Sequence, residues 1–84
     1  MKREWQYVLH QRAAESIENL PARQRREIRA ALHQLVAHPF SEPDAEIRPP
    51  TDRSYQVCHV GKLRVVYWLD AYVHEVCVVR VERG

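Results

Sequence analysis

Two glycines in 84 residues leave no room for a collagen-like repeat or a flexible low-complexity segment. Two cysteines, Cys58 and Cys77, are too few for a disulfide scaffold. Both fall inside strand-like runs, where free thiols are ordinarily buried. No apolar run approaches the ~18–20 residues of a bilayer-spanning helix. The amino end, Met1-Lys2-Arg3-Glu4-Trp5-Gln6, lacks the apolar core of a secretory signal, so the expected location is the cytoplasm, away from membranes. His10, His33, His38, His59 and His74 include no pair at H-x-x-x-H spacing, and neither a metal nor another cofactor is expected. Charge of one sign is lacking too: the net is +2, which by itself argues for no polyanionic partner.

What the chain does contain is enough apolar material for one core. Aliphatic, aromatic and cysteine residues make up 45% of it, too many for a disordered segment. A chain this short has a narrow stability margin, so the reading is one domain over residues 1–84 with one shared apolar layer. The cations are almost all arginine, a side chain suited to bidentate contact with phosphate or carboxylate.

Periodicity gives the elements. Trp5 to Leu9 alternates as a first strand, with Trp5, Tyr7 and Leu9 on one face. From Gln11 the period lengthens, and Ala13, Ala14, Ile17 and Leu20 form the stripe of a short helix that Pro21 interrupts. Ile28, Ala31, Leu32, Leu35 and Val36 follow at helical spacing, the mark of one buried face. Arg23, Arg25, Arg26 and Arg29 crowd the first half of this second helix and read as a solvated face. His38-Pro39 ends it, because the residue before proline is driven out of the α region. Phe40 to Arg53, rich in proline and acids, reads as a loop with a short extended piece around Ile47. Strands Tyr55–Val60 and Leu63–Leu69 flank Gly61-Lys62 as a hairpin, and after a turn at Asp70-Ala71-Tyr72 comes a last strand, Val76–Val81. The expected fold is α+β in the order β-α-α-β-β-β, a helical hairpin packed on one face of a small, mainly antiparallel sheet.

Strand alternation then sorts the side chains. Leu63, Val65, Tyr67 and Leu69 supply the floor for the helices, so Lys62, Arg64, Val66 and Trp68 point to the opposite, open face. An arginine inside an apolar strand must be solvated or paired, and Arg64 is expected either to meet Glu75 or Glu82 or to serve an anion. Simple alternation groups Arg80 with Val76 and Val78, groups Arg83 with Cys77, Val79 and Val81, and assigns Arg83 to the open face.

These residues carry a resemblance. Gly61-Lys62-Leu63-Arg64-Val65-Val66-Tyr67 resembles the G-x-[YL]-R-[VL]-[VI]-Y strand of RelE/ParE-type toxins. Ala13 to Pro21 is similar to that family's first helix and its Leu-Pro break, and His38-Pro39-Phe40 to the end of its second. Ser54-Tyr55-Gln56-Val57 looks like the strand before the glycine, and Val78-Val79-Arg80-Val81 like the terminal strand. The resemblance spans nearly the whole chain. It implies the toxin of a type II toxin–antitoxin pair, held inactive by a cognate antitoxin protein. The RelE-like branch cleaves mRNA on the ribosome without metal, while the ParE-like branch inhibits DNA gyrase and has no known hydrolytic chemistry.

On the nuclease branch a 2′-hydroxyl attacks the neighbouring phosphate, so fixed cations must meet charge on the phosphate oxygens and a base must take the proton. The resemblance makes Arg64 the candidate for phosphate stabilisation, with Arg83 as a further cation and Glu46 as a base. Arg48, His59 and Arg80 are candidate substrate contacts. Two features favour the gyrase alternative: the chain ends at Glu82-Arg83-Gly84 without the tail aromatic of the nucleases, and from Phe40 onward the acids slightly outnumber the bases. A third alternative is a degenerate toxin-fold binding module.

Overall fold

The computed structural model describes residues 4–84. Strand β1 (Gln6–Leu9) leads into helices α1 (Gln11–Glu18) and α2 (Ala22–Ala37), followed by strands β2 (Ala45–Ile47), β3 (Tyr55–Val60), β4 (Leu63–Asp70) and β5 (Glu75–Arg83). The five strands lie in the order β1-β5-β4-β3-β2, antiparallel throughout except for the parallel pair β1 and β5. This is the expected α+β arrangement. The extended piece around Ile47 is a three-residue edge strand, pinned where the Asp44 carboxylate accepts the His59 N–H at 2.7 Å.

Pro21 breaks the helical run directly before α2, and Arg25 closes the gap by donating from Nη1 to the Leu20 carbonyl at 2.8 Å. That arginine therefore caps orphan carbonyls at the end of α1, while Arg23 pairs with Glu27 one turn on, at the surface. The apolar stripes of both helices converge on one face of the sheet. Ala13, Ile28, Leu32 and Leu35 meet Leu63, Val65, Tyr67, Val76, Val78 and Val81 in a single cluster. Tyr7 and Leu9 of β1 pack on its margin, as the alternation of that strand requires. Between β3 and β4, Gly61 takes a φ of 59°, the positive value that the first position of a tight two-residue hairpin demands.

One irregularity decides where the charges go. On β4 and β5 the pairing steps from Val66 opposite Arg80 to Tyr67 opposite Val78, leaving Val79 as an extra residue. A bulge of this kind resets strand parity. Before it Val76 and Val78 face the helices; after it Val81 does, opposite Val65. Arg80 and Glu82, opposite Val66 and Arg64, therefore lie on the helix-free face. Arg83, opposite Leu63, lies on the helix side at its exposed margin. Simple alternation grouped Arg80 with Val76 and Val78 and sent Arg83 to the open face; the bulge reverses both.

Burial pushes the Tyr67 phenol up to about 12 from its ordinary 10.0, with Cys58 and Asp44 adding to the rise. The Cys58 and Cys77 thiols are raised as well, again chiefly by burial. A raised folded-state pKa gives stability that is complete below the unfolded value and lost as pH climbs through the folded one. Stability in urea should accordingly fall steeply between pH 10 and 12, by about 2–3 kcal/mol for Tyr67 alone. Tyr67→Phe should flatten that part of the profile, and an unchanged profile in the variant would remove Tyr67 as its cause.

Candidate functional site on the helix-free sheet face

The second face of the sheet carries no helix, yet Val57 and Val66 beneath it are almost wholly buried. Above Val66 lies an open cleft of about 570 Å³, framed by His10 and Arg12 at the start of α1, Ile47, Tyr55, and Val79 and Arg80 at the bulge. Tyr55 Oη donates to the Asp52 carboxylate at 2.8 Å, and the Arg53 N–H donates to the same carboxylate. The Tyr55 hydrogen bond is the main reason the Asp52 carboxyl is held below its usual range, and the same bond raises the Tyr55 phenol.

Beside this cleft stand the two arginines of the open face. Arg64 grips a single oxygen of Glu82, from Nη2 at 2.8 Å and from Nε at 3.0 Å. Arg80 Nε lies 3.5 Å from that same oxygen, misaligned for a hydrogen bond, and is buried without an acceptor. Two guanidiniums thus converge on one carboxylate oxygen, and one of them keeps a donor in reserve. Side chains of Arg64 and Glu82 are each 36% exposed, so ligand can reach them. A carboxylate in this position marks where another anion could sit, because arginine forks recognise carboxylate and phosphate alike. His59 lies opposite Arg64 on β3, at the open end of the same row.

The structure therefore brings together Arg64, Arg80 and, across the ladder, His59. It does not bring Glu46 to them. Glu46 stands opposite Gln56, whose partner Tyr67 belongs to the helix-side core, so strand parity turns it away from the arginine pair. There it accepts from Arg48 at 3.0 Å, an exposed pair that accounts for both charges locally. Arg83 is on the wrong side of β5 for the site. Sequence reasoning passed over Arg12, Asp52 and Tyr55, which come into the cleft from separate parts of the chain; no local pattern marks them. Glu82 is legible in the sequence as a possible ion-pair partner of Arg64, alongside Glu75, and the register shift at the bulge is what brings it opposite Arg64.

No helix among the described residues is long and apolar enough to cross a membrane. No protein-family model matches the chain, and no curated protein does either. Solved structures do. The archaeal RelE of a RelE–RelB complex from Pyrococcus horikoshii superposes with a TM-score of 0.78 at 13% identity, over 96% of both chains. The RelBE2 toxin–antitoxin complex of Mycobacterium tuberculosis gives 0.78 at 18% identity, covering 98% of this chain and all of the other. The isolated E. coli RelE toxin gives 0.78 at 18%, over 95% of this chain and 84% of that one. Across nearly its whole length, and despite such low identity, the chain has the fold of the RelE toxins.

Proposed function

We propose that this protein is the toxin of a type II toxin–antitoxin pair, and that it acts in the cytoplasm as a metal-independent endoribonuclease on mRNA at the ribosome. A cognate antitoxin is the expected partner, since proteins of this fold have been solved in complex with one. The observation that carries the reading is the convergence of Arg64 and Arg80 on one oxygen of Glu82, partly exposed on the helix-free face of the sheet.

In this reading the scissile phosphate takes the place beside Glu82 where the guanidiniums aim. The 2′-hydroxyl of the preceding nucleotide attacks phosphorus, forming the O2′–P bond as the P–O5′ bond breaks. Glu82, held against both arginines, accepts the hydroxyl proton. His59 supplies a proton to the leaving 5′ oxygen, and Arg64 and Arg80 meet the charge that gathers on the non-bridging oxygens. The products are a 2′,3′-cyclic phosphate and a 5′-hydroxyl end, and no co-reactant is needed.

Inducible expression in bacteria, followed by primer-extension mapping of translated mRNAs, tests the reading. Growth arrest with new mRNA ends supports it; arrest with intact mRNA and DNA-damage signalling would replace it with inhibition of gyrase. Two observations favour that second reading: Glu82 already neutralises Arg64, and acids outnumber bases from residue 40 onward. Glu82→Gln separates the two roles of the carboxylate. Removing a competing anion should tighten binding of a non-cleavable RNA several-fold, while loss of the base should slow cleavage by about 10²-fold or more. Tighter binding with undiminished cleavage would deprive Glu82 of its role as base.

A further inference from the structure

On the helix side the core is centred on β4 and β5, and the β3 residues Cys58 and Val60 are only partly buried. Beside Cys58 a cavity of about 410 Å³ opens between the second half of α2 and the segment 41–44. Ala31, Leu35 and Pro43 give it apolar walls, while Tyr67, Cys58 and Asp44 bring polar groups to it. It lies across the sheet from Arg64 and Arg80, so the reading of that pair does not bear on it.

Tyr67 is the feature that asks for a ligand. Its side chain is 1% exposed, yet its hydroxyl has no hydrogen-bond partner among the described residues. An unpaired buried hydroxyl is costly, and native folds seldom leave one. The Cys58 thiol and the Asp44 carboxylate both help to raise the phenol, which puts them close to its oxygen. Phenol and thiol, each raised chiefly by burial, stay protonated at neutral pH, the first as a donor and the second as a weak one. Asp44 is held still. Its N–H donates to the Val57 carbonyl at 2.9 Å, and its Oδ2 accepts the His59 N–H at 2.7 Å. Its Oδ1 has no partner among the described residues.

A hydroxyl donor and a carboxylate acceptor, set together in an apolar frame, define what fits. A carboxylate or phosphate would meet the negative charges of Asp44 and Glu42. A simple amine would satisfy Asp44 and leave Tyr67 unpaired. A carboxamide answers both, its C=O accepting from Tyr67 Oη and its N–H donating to Asp44. We propose that this cavity is a binding site for a small carboxamide with a flat apolar body that packs against Leu35 and Pro43. The space is far larger than one bridging water requires.

Benzamide, benzoate and benzylamine share a ring and differ in the polar group they offer. Each should be titrated into the full-length protein with backbone amide resonances followed by NMR. Benzamide should bind at about millimolar concentration, shifting Leu35, Asp44 and Cys58 and leaving Arg64 in place. The other two should bind about fivefold more weakly or worse. Tyr67→Phe deletes the hydroxyl alone. It should weaken benzamide about fivefold and cost no stability at neutral pH, because the lost group has no partner. Asp44→Asn keeps an acceptor for His59 and removes the charge, so preference should move toward benzoate. Equal binding of the three ligands, or unchanged benzamide affinity in Tyr67→Phe, would overturn the proposal. So would an unchanged order of preference in Asp44→Asn. Absence of benzamide shifts near the solubility limit of the ligand would mean a cavity that holds only water, and would overturn it too. Lost stability in Tyr67→Phe at neutral pH would do the same, since the hydroxyl would then already have a partner.

Discussion

Arg64→Ala should abolish growth arrest and remove the new mRNA ends, with cleavage reduced by about 10²–10³-fold or more, as expected when a fixed donor to a developing oxyanion is lost. The size of the effect follows from the geometry. Arg64 supplies both short contacts to the Glu82 oxygen, so its removal takes away the phosphate donors and frees the carboxylate that they hold in place. Arg83→Ala is the matching control. Its side chain lies on the helix-side margin of β5, and the variant should retain arrest and the same cut sites. Equal loss in the two variants would mean that general positive charge matters rather than the convergent pair. Both proteins should be checked for solubility and antitoxin binding, since an arginine whose partner is left half-buried can also cost stability.

Ile28→Ala should destabilise the fold by about 2–5 kcal/mol, the range for truncating a fully buried aliphatic side chain. Ile28 has no exposed surface and sits where the α2 stripe meets the β4 and β5 valines. A small domain has a total stability of roughly 5–10 kcal/mol, so this single change should take a large share of it and lower the denaturation midpoint accordingly. Arg26→Ala, two residues away on the solvent side, should remain within about 0.5 kcal/mol of the parent. Comparable losses at the two positions in urea denaturation would contradict the placement of the core.

Much of this architecture is written in local patterns. The 3.6-residue spacing from Ile28 to Val36 announces the buried face of α2, and Gly61 announces the hairpin. Alternation along Leu63–Leu69 sends Arg64 to the helix-free face, where the structure has it. The same rule misplaces Arg80 and Arg83. Val76 to Val79 is apolar at every position, so no polar residue marks the point where the bulge at Val79 shifts the phase. Strand β2 is hard to read for another reason. Three residues, Ala45-Glu46-Ile47, carry almost no period, and the strand exists through its ladder with β3 and the Asp44 clasp on His59. The candidate site is legible in the sequence as far as Arg64, its possible partner Glu82, and Arg80 and His59 as further contacts. Arg12, Asp52 and Tyr55 reach the cleft by tertiary folding.

The bulge also explains how so small a sheet holds two apolar layers and a charged site at once. It lets β5 give Val76, Val78 and Val81 to the helices while Arg80 and Glu82 turn to the other side. On that side Val57 and Val66 form a buried floor, and the arginines stand at its edge with their charged ends in reach of solvent. Low surrounding polarity strengthens an ion contact there, without the full cost of burying an unpaired charge.

The most direct test of the central claim is a reconstituted one. Purified protein should be added to ribosomes programmed with a defined mRNA and, in parallel, to a gyrase supercoiling reaction. Cleavage of the ribosome-bound mRNA, absent with Arg64→Ala and unaccompanied by gyrase inhibition, is the predicted result. Intact mRNA with blocked supercoiling would contradict the account.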